Sequence, residues 1–317
     1  MNTNDVITLV NKPRSALLLT RKQWMVFIRI LRHELMLARF AYNFLPYLTE
    51  VQDTALQSHL KTHFNNAITI AERQNQSVLF EMQEIKRQLG ATSEKLICLK
   101  GAAYSLINNS VTKGRTYGDI DLLSPKEDIN LVEQHFSIYG WIGKEVNDYD
   151  DKYYREWSHE IPPLAHSARG TVIDLHHNLV PPISGRAPDI SLFTENSIKT
   201  ENSRVLRPAA MTLHSIVHLF LNEDFKHGFR NIYDVHLLLT EYDSPEFWHD
   251  LYQLATKTGF TLELYLAFTN SNKLFSTSIN FDVMNELSLE HDGKLINWYW
   301  DFIFKAALSP KHSLCQS

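Results

Sequence analysis

Arg115-Thr116-Tyr117-Gly118-Asp119-Ile120-Asp121-Leu122-Leu123 is the stretch that decides the fold. Acidic and apolar residues alternate from Asp119 to Leu122, the period of a strand whose two faces differ. Asp119 and Asp121 therefore leave one face together, while Ile120 and Leu122 turn into apolar packing. Upstream, Leu96-Ile97-Cys98-Leu99 is a short apolar run closed by Lys100-Gly101, the pattern of a buried strand followed by a turn. Ala102 to Ile107 reads as a short helix, and Ser124-Pro125 opens another over about Lys126 to Tyr139. Two further strands are expected, near Glu160 to His166 and Thr171 to His176. Strands alternating with helices, then strands alone, define an α+β core with a small mixed sheet over residues 91–203.

Helical periodicity flanks this core. In residues 1–90, Thr20 caps a helix whose apolar positions Trp24, Phe27, Ile28, Leu31, Leu35 and Ala38 keep helical spacing until Pro46. Thr49 and Gln52 form a capping-box pattern. A stripe from Leu56 through Phe64, Val78 and Ile85 then runs to Gly90, as one helix or as two with a break near Asn75. In residues 204–317, Pro208 begins a helix carrying Leu213, Ile216, Val217 and Phe220, and Asn231 to Tyr242 and Phe247 to Thr258 are helical. The aromatic segment Trp298, Tyr299, Trp300, Phe302 reads as helix too.

Composition bounds the function. At 317 residues, 44% hydrophobic and 21% charged, the chain is an ordinary globular protein. Lys plus Arg number 31 against 36 Asp plus Glu, a net charge of −5, which argues against a nucleic-acid partner. Only Cys98 and Cys315 are present, too few for a disulfide scaffold or a cysteine zinc site, and the expected setting is a reducing cytoplasm. Ala16 to Leu19 is too short for a signal core, and Leu295 to Leu308 is interrupted by Asp301 and Lys305, so no membrane partner is expected.

The chemistry concentrates between Lys100 and His177. Two carboxylates held side by side repel unless a cation sits between them, and hard oxygen donors suit Mg²⁺ or Mn²⁺. Asp174, in Val172-Ile173-Asp174-Leu175-His176, is a third acid in a strand-like run. If the two strands are neighbours, Asp119, Asp121 and Asp174 converge.

Leu99-Lys100-Gly101, the Arg115–Leu123 stretch and Ile173-Asp174-Leu175-His176 together resemble the DNA-polymerase-β-type nucleotidyltransferase superfamily. More narrowly they resemble bacterial nucleotidyltransferase-like proteins of unassigned substrate, some of which accompany lasso-peptide systems. The resemblance covers roughly residues 90 to 240. It implies a nucleotidyltransferase core in which Asp119, Asp121 and Asp174 are catalytic and hold Mg²⁺ (or Mn²⁺). Gly101 would then cradle a nucleoside triphosphate (NTP), with Lys100 and Arg115 neutralising it. It further implies in-line attack of an acceptor hydroxyl on the α-phosphate. The acceptor stays open among protein, peptide, small molecule and RNA. The sequence departs from the superfamily in Gly101-Ala102, where Gly-Ser or Gly-Gly is usual, and in the long gap from Gly101 to Asp119. A catalytically degenerate binding or assembly module is the alternative.

Weaker signals remain. His214 and His218 share a helical face at a zinc-compatible spacing but lack the Glu of the zinc-protease motif. Arg230 and Asp234 have the spacing of a helical ion pair. His176 shares the face of Asp174 while His177 turns away. His249-Asp250 and His291-Asp292 lack the other members of a His-Asp phosphohydrolase set, and no dinucleotide or phosphate-loop glycine motif occurs.

Overall fold

Ile120, Leu122, Ile173 and Leu175 are removed from water, and the sheet is organised around them. The computed structural model describes residues 1–221, 224–291 and 294–315, the last without the side chains of 294–297 and 299–301. Among the described residues the strands are β1 (Ile97–Cys98), β2 (Ile120–Leu123), β3 (Trp141–Gly143), β4 (Leu164–His166), β5 (Val172–His176), β6 (Ser197–Lys199) and β7 (Arg204–Leu206). They form one mixed sheet in the order β3-β4-β5-β2-β1-β7-β6. β2 is parallel to β5 and antiparallel to β1, and β1 is parallel to β7. Helical regions precede and follow the sheet, so the class is α+β, as the sequence implies.

Local sequence explains most element ends. Thr20 caps the Arg21–His33 helix by accepting from the Gln23 amide. The Thr54–Leu89 helix is continuous, with no break at Asn75, and Gly90 closes it at a φ of +52°.

Several expectations need correction. The run from Thr20 to Pro46 is not one helix but two, Arg21–His33 and Leu37–Phe44. Leu35 takes a φ of +57°, its N–H donates to the Arg32 carbonyl (3.1 Å) and the Met36 N–H donates to the Leu31 carbonyl (2.8 Å). That is a Schellman closure on a leucine, which lacks the glycine that normally announces one. The next helix is capped by Asp53, which accepts from the Leu56 amide at 3.0 Å, rather than by Thr49. The strand expected from Glu160 is only Leu164–His166, with Glu160 reduced to a single bridge to His176. The Asp148–Glu156 helix and the β6–β7 pair were not anticipated.

Buried apolar side chains from both flanks and from the sheet form one continuous cluster. Its N-terminal part is aromatic: Trp24 meets Phe44 edge-on at 5.0 Å, and Phe27 meets Phe40 at 4.9 Å. Glu81 of the long helix clamps the β4–β5 turn, accepting from Arg169 at 2.7 and 2.9 Å and from Thr171 at 2.8 Å. No helix among the described residues is long and apolar enough to cross a membrane.

One buried carboxylate joins three distant segments. Asp234, in the Gly228–Glu241 helix, pairs with Arg39 Nη2 at 2.5 Å and with Arg115 Nε at 3.1 Å. All three side chains are almost wholly enclosed. Removing the anion would leave two guanidinium charges buried together. We expect Asp234→Asn to cost about 3–5 kcal/mol, read as a lowered urea midpoint. An unchanged midpoint would show that the cluster carries no such charge dependence.

Candidate active site

The register of β2 against β5 pairs Asp121 with Asp174 and Leu123 with His176. Paired residues of adjacent strands share a face, so the two carboxylates stand side by side on the sheet. Asp119 sits one residue before β2, exposed, in the same cleft as Asp121.

Asp121 is only 4% exposed, and two side-chain nitrogens meet one of its oxygens. Lys100 Nζ donates to Oδ1 at 2.7 Å, and His176 Nε2 lies 3.0 Å from it. Burial alone would raise the Asp121 pKa, but Lys100 and His176 outweigh it and hold the carboxyl well below the usual range. Asp174 has the opposite fate. Burial first, then the charges of Asp121, Asp119 and Glu160, push it up to about 8. The structure thus brings Asp119, Asp121, Asp174 and Lys100 into one electrostatic group.

Gly101 lies under this group, at the start of the Lys100–Ile107 helix. A Cβ there would come within 2.7 Å of Arg115 Nη1 and 2.8 Å of the Tyr117 ring, so the position admits no side chain. Arg115 is stacked between Tyr104 and Tyr117, its guanidinium carbon 5.3 and 5.4 Å from the two ring centres. Its charge is shared with Asp234.

A cleft of about 270 Å³ opens above Asp119 and Asp121. Lys100, Gly101 and Arg115 line it from the core, and His218, Lys226 and Arg230 line it from the Pro208–Leu221 helix and the segment that follows. Arg230 was expected to pair with Asp234, but its guanidinium donates to Asn231 Oδ1 at 3.1 and 3.2 Å instead, because Arg39 and Arg115 already occupy Asp234. Burial, together with the like charges of Arg115 and Arg39, pulls Arg230 down to about 10, which leaves it cationic at neutral pH. The cleft therefore carries both signs of charge, with Asp119 and Asp121 beside Lys100 and Arg115, and Lys226 and Arg230 beside Asp224 and Asp234.

The histidines sort clearly. His214 is buried, and loss of water lowers it to about 3. His218 reaches the cleft, 6.4 Å from the His214 ring, and among the described residues the two form no cluster with other metal-ligating side chains. His177 turns away from the acids, 3.3 Å from the Tyr154 carbonyl. His249 and Asp250 are exposed, His291 lies 3.0 Å from Thr261 Oγ1, and Asp292 lies outside the described residues. The sequence reading missed His159 and Glu160. His159 is lowered to about 3 by burial and by the nearby charges of His176 and Lys100, so its imidazole is neutral. No spacing rule links residue 160 to residue 176, and only the strand bridge between them reveals the proximity.

Residues 20–276 match the model of a family described as uncharacterised nucleotidyltransferase, and the chain belongs to that family. Two solved structures from Helicobacter pylori align with this chain. JHP933 is 14% identical, with 74% of this chain and 95% of that one covered, at a TM-score of 0.33. A protein crystallised as a candidate nucleotidyltransferase is 13% identical, with 72% and 96% covered, also at 0.33. None of the curated proteins matches the sequence.

The Asp174 environment has a consequence for stability. A carboxyl whose pKa rises from 3.8 to about 8 on folding takes up a proton between those values. Its contribution to stability is therefore present at low pH and is lost as pH rises through that window. In EDTA, Asp174→Asn should be more stable than wild type at pH 8 by on the order of 2 kcal/mol. That is well under the ~1.4 kcal/mol per unit of a fully enclosed group, since Asp174 keeps some contact with water. The gain should fade toward pH 4. Parallel melting curves of the two proteins across that range provide the check.

Proposed function

We propose that the protein is a metal-dependent nucleotidyltransferase that moves a nucleoside monophosphate from an NTP to a hydroxyl acceptor. The observation that carries this reading is the pairing of Asp121 with Asp174 on adjacent strands, at the edge of a cleft that Asp119 and Asp121 line together with Arg230. An all-oxygen donor set of Asp119, Asp121 and Asp174, with one carboxyl already driven to hold a proton, fits a hard divalent cation such as Mg²⁺ or Mn²⁺. Bound there, the cation would supply charge neutralisation and Lewis-acid polarisation of the reacting phosphate.

The chain's own groups account for the remaining roles. Arg230 and Lys226 line the cleft as cations suited to the β- and γ-phosphates, Lys100 and Arg115 add positive charge beside them, and Gly101 lets backbone approach closely. Asp174, with its raised proton affinity, would suit the proton of the acceptor hydroxyl once a bound cation has displaced its own. The acceptor oxygen forms its bond to the α-phosphorus as the bond to the bridging oxygen breaks, and pyrophosphate leaves. In this reading residues 91–203 carry the chemistry, and described residues between Ser215 and Asp234 complete the lining of the cleft. Both cysteines are free, with Cys98 buried, which suits a cytoplasmic setting rich in NTPs. A protein or peptide hydroxyl agrees better with the net charge of −5 than RNA does.

The 2.7 Å contact of Lys100 Nζ with Asp121 favours a second reading. A lysine that already compensates Asp121 would suit a degenerate fold that binds nucleotide without turning it over.

Incubation with each of the four common NTPs and Mg²⁺ or Mn²⁺, followed by mass spectrometry and a pyrophosphate assay, separates the two. We expect pyrophosphate release with at least one NTP and a loss of about 1,000-fold in Asp121→Asn, the scale of removing one stabilising group from a transition state. Mg²⁺ should raise the melting temperature of wild type and not of Asp121→Asn. Equal shifts in both proteins would sink the metal reading. A nucleotide-induced shift with no pyrophosphate would favour the binding module.

A further inference from the structure

We propose that His159, Glu160 and His176 form a second, chemically different cation site, one for a borderline transition metal of the Zn²⁺ type, beside the carboxylates. One nitrogen from each ring and a Glu160 oxygen lie within 4.8 Å of one another. Glu160 Oε2 is 3.4 Å from His176 Nδ1 and 3.7 Å from His159 Nε2. These gaps exceed the length of an N–H···O hydrogen bond, so the three groups converge without satisfying each other. They do match the roughly 3.4 Å edge of a tetrahedron of ligands about 2.1 Å from a central ion.

The arrangement is built into the backbone. Glu160 and His176 form an antiparallel bridge, the Ile161 amide donates to the Leu175 carbonyl at 3.0 Å, and the His177 amide donates to the His159 carbonyl at 2.8 Å. The outer nitrogen of His176 is also spoken for. With Nδ1 facing Glu160, Nε2 lies 3.0 Å from Asp121 Oδ1. A carboxylate on the far nitrogen of a ligating imidazole fixes its tautomer and its aim. Two imidazoles and one carboxylate select Zn²⁺, Co²⁺ or Ni²⁺ over Mg²⁺. The side chains of His159 and Glu160 are 26% and 28% exposed, so an ion here keeps an open position for water or for a group on the acceptor. The site does not depend on the transfer reaction. Its link to that reaction is structural, one imidazole away from Asp121.

The test uses the full-length protein stripped with a chelator, with Co²⁺ as the spectroscopic probe and Zn²⁺ as the competitor. We expect one equivalent of Co²⁺ to give visible ligand-field bands that Zn²⁺ removes and excess Mg²⁺ does not. His159→Gln and Glu160→Gln should each weaken Co²⁺ binding by roughly 100-fold or more, since loss of even a supporting partner costs ten- to a hundredfold. Asp174→Asn should keep the bands. Absence of Co²⁺ binding to folded wild type overturns the proposal. So do bands lost in Asp174→Asn but kept in His159→Gln, because the acids alone would then hold the ion. Should His159→Gln fail to fold, imidazole proton resonances of wild type decide. Two histidines should shift with one equivalent of Zn²⁺, and unmoved resonances overturn the site.

Discussion

The placement of carboxylate charge away from water is the constraint on which the rest of this structure turns. An enclosed anion is tolerated only where cations or hydrogen-bond donors meet it. Asp121 meets that condition through Lys100 and His176 on a single oxygen, and Asp234 meets it through Arg39 and Arg115. Asp174 has no such cation in direct contact, and its elevated proton affinity is the result. Two buried acids are thus held as anions and a third, partly buried, holds its proton more tightly, each according to its neighbours.

Those neighbours come from far apart in the chain. Arg39 is supplied by the Leu37–Phe44 helix, Arg115 by the loop before β2 and Asp234 by a helix after the sheet. Closing the Asp234 cluster therefore brings the N-terminal helices and the C-terminal helices onto the same flank of the core. It also leaves Arg230, which would otherwise be the natural helical partner of Asp234, to bond Asn231 at the cleft. The place of that cation in the cleft is thus a by-product of how a neighbouring anion is neutralised. Gly114 contributes to the same closure: at a φ of +71°, it packs so tightly that a Cβ would lie 2.6 Å from the Arg39 backbone nitrogen.

How much of this was legible in the sequence depends on the range of the interaction. β2 and β5 were readable because apolar residues flank Asp121 and Asp174 at the period of a strand, even though Asp121 is itself buried. That the acids share a face followed from the same period. The helix break at Leu35 was not readable, because apolar spacing runs straight through it and no glycine marks it. β6 and β7 were missed because three-residue strands carry too short a pattern to stand out from a loop. Ion partners such as Arg39 and Asp234 have no local signature at all.

His176 shows why the long-range part matters most for chemistry. On the sequence it is only the residue two beyond Asp174, on the same face. In the fold its two ring nitrogens look in opposite directions, one toward Asp121 and the other toward Glu160. A neutral imidazole holds one proton, so the two sides cannot both receive a hydrogen bond from it. If Nε2 carries the proton, Asp121 gains a donor and Nδ1 is left with a lone pair facing Glu160 and His159. That lone pair beside a carboxylate is unfavourable unless a positive charge lies between them. If Nδ1 carries the proton instead, Asp121 loses a donor and leans harder on Lys100. The charge state on the Glu160 side therefore sets how firmly Asp121 is held on the other, and the imidazole is the shortest path between the two.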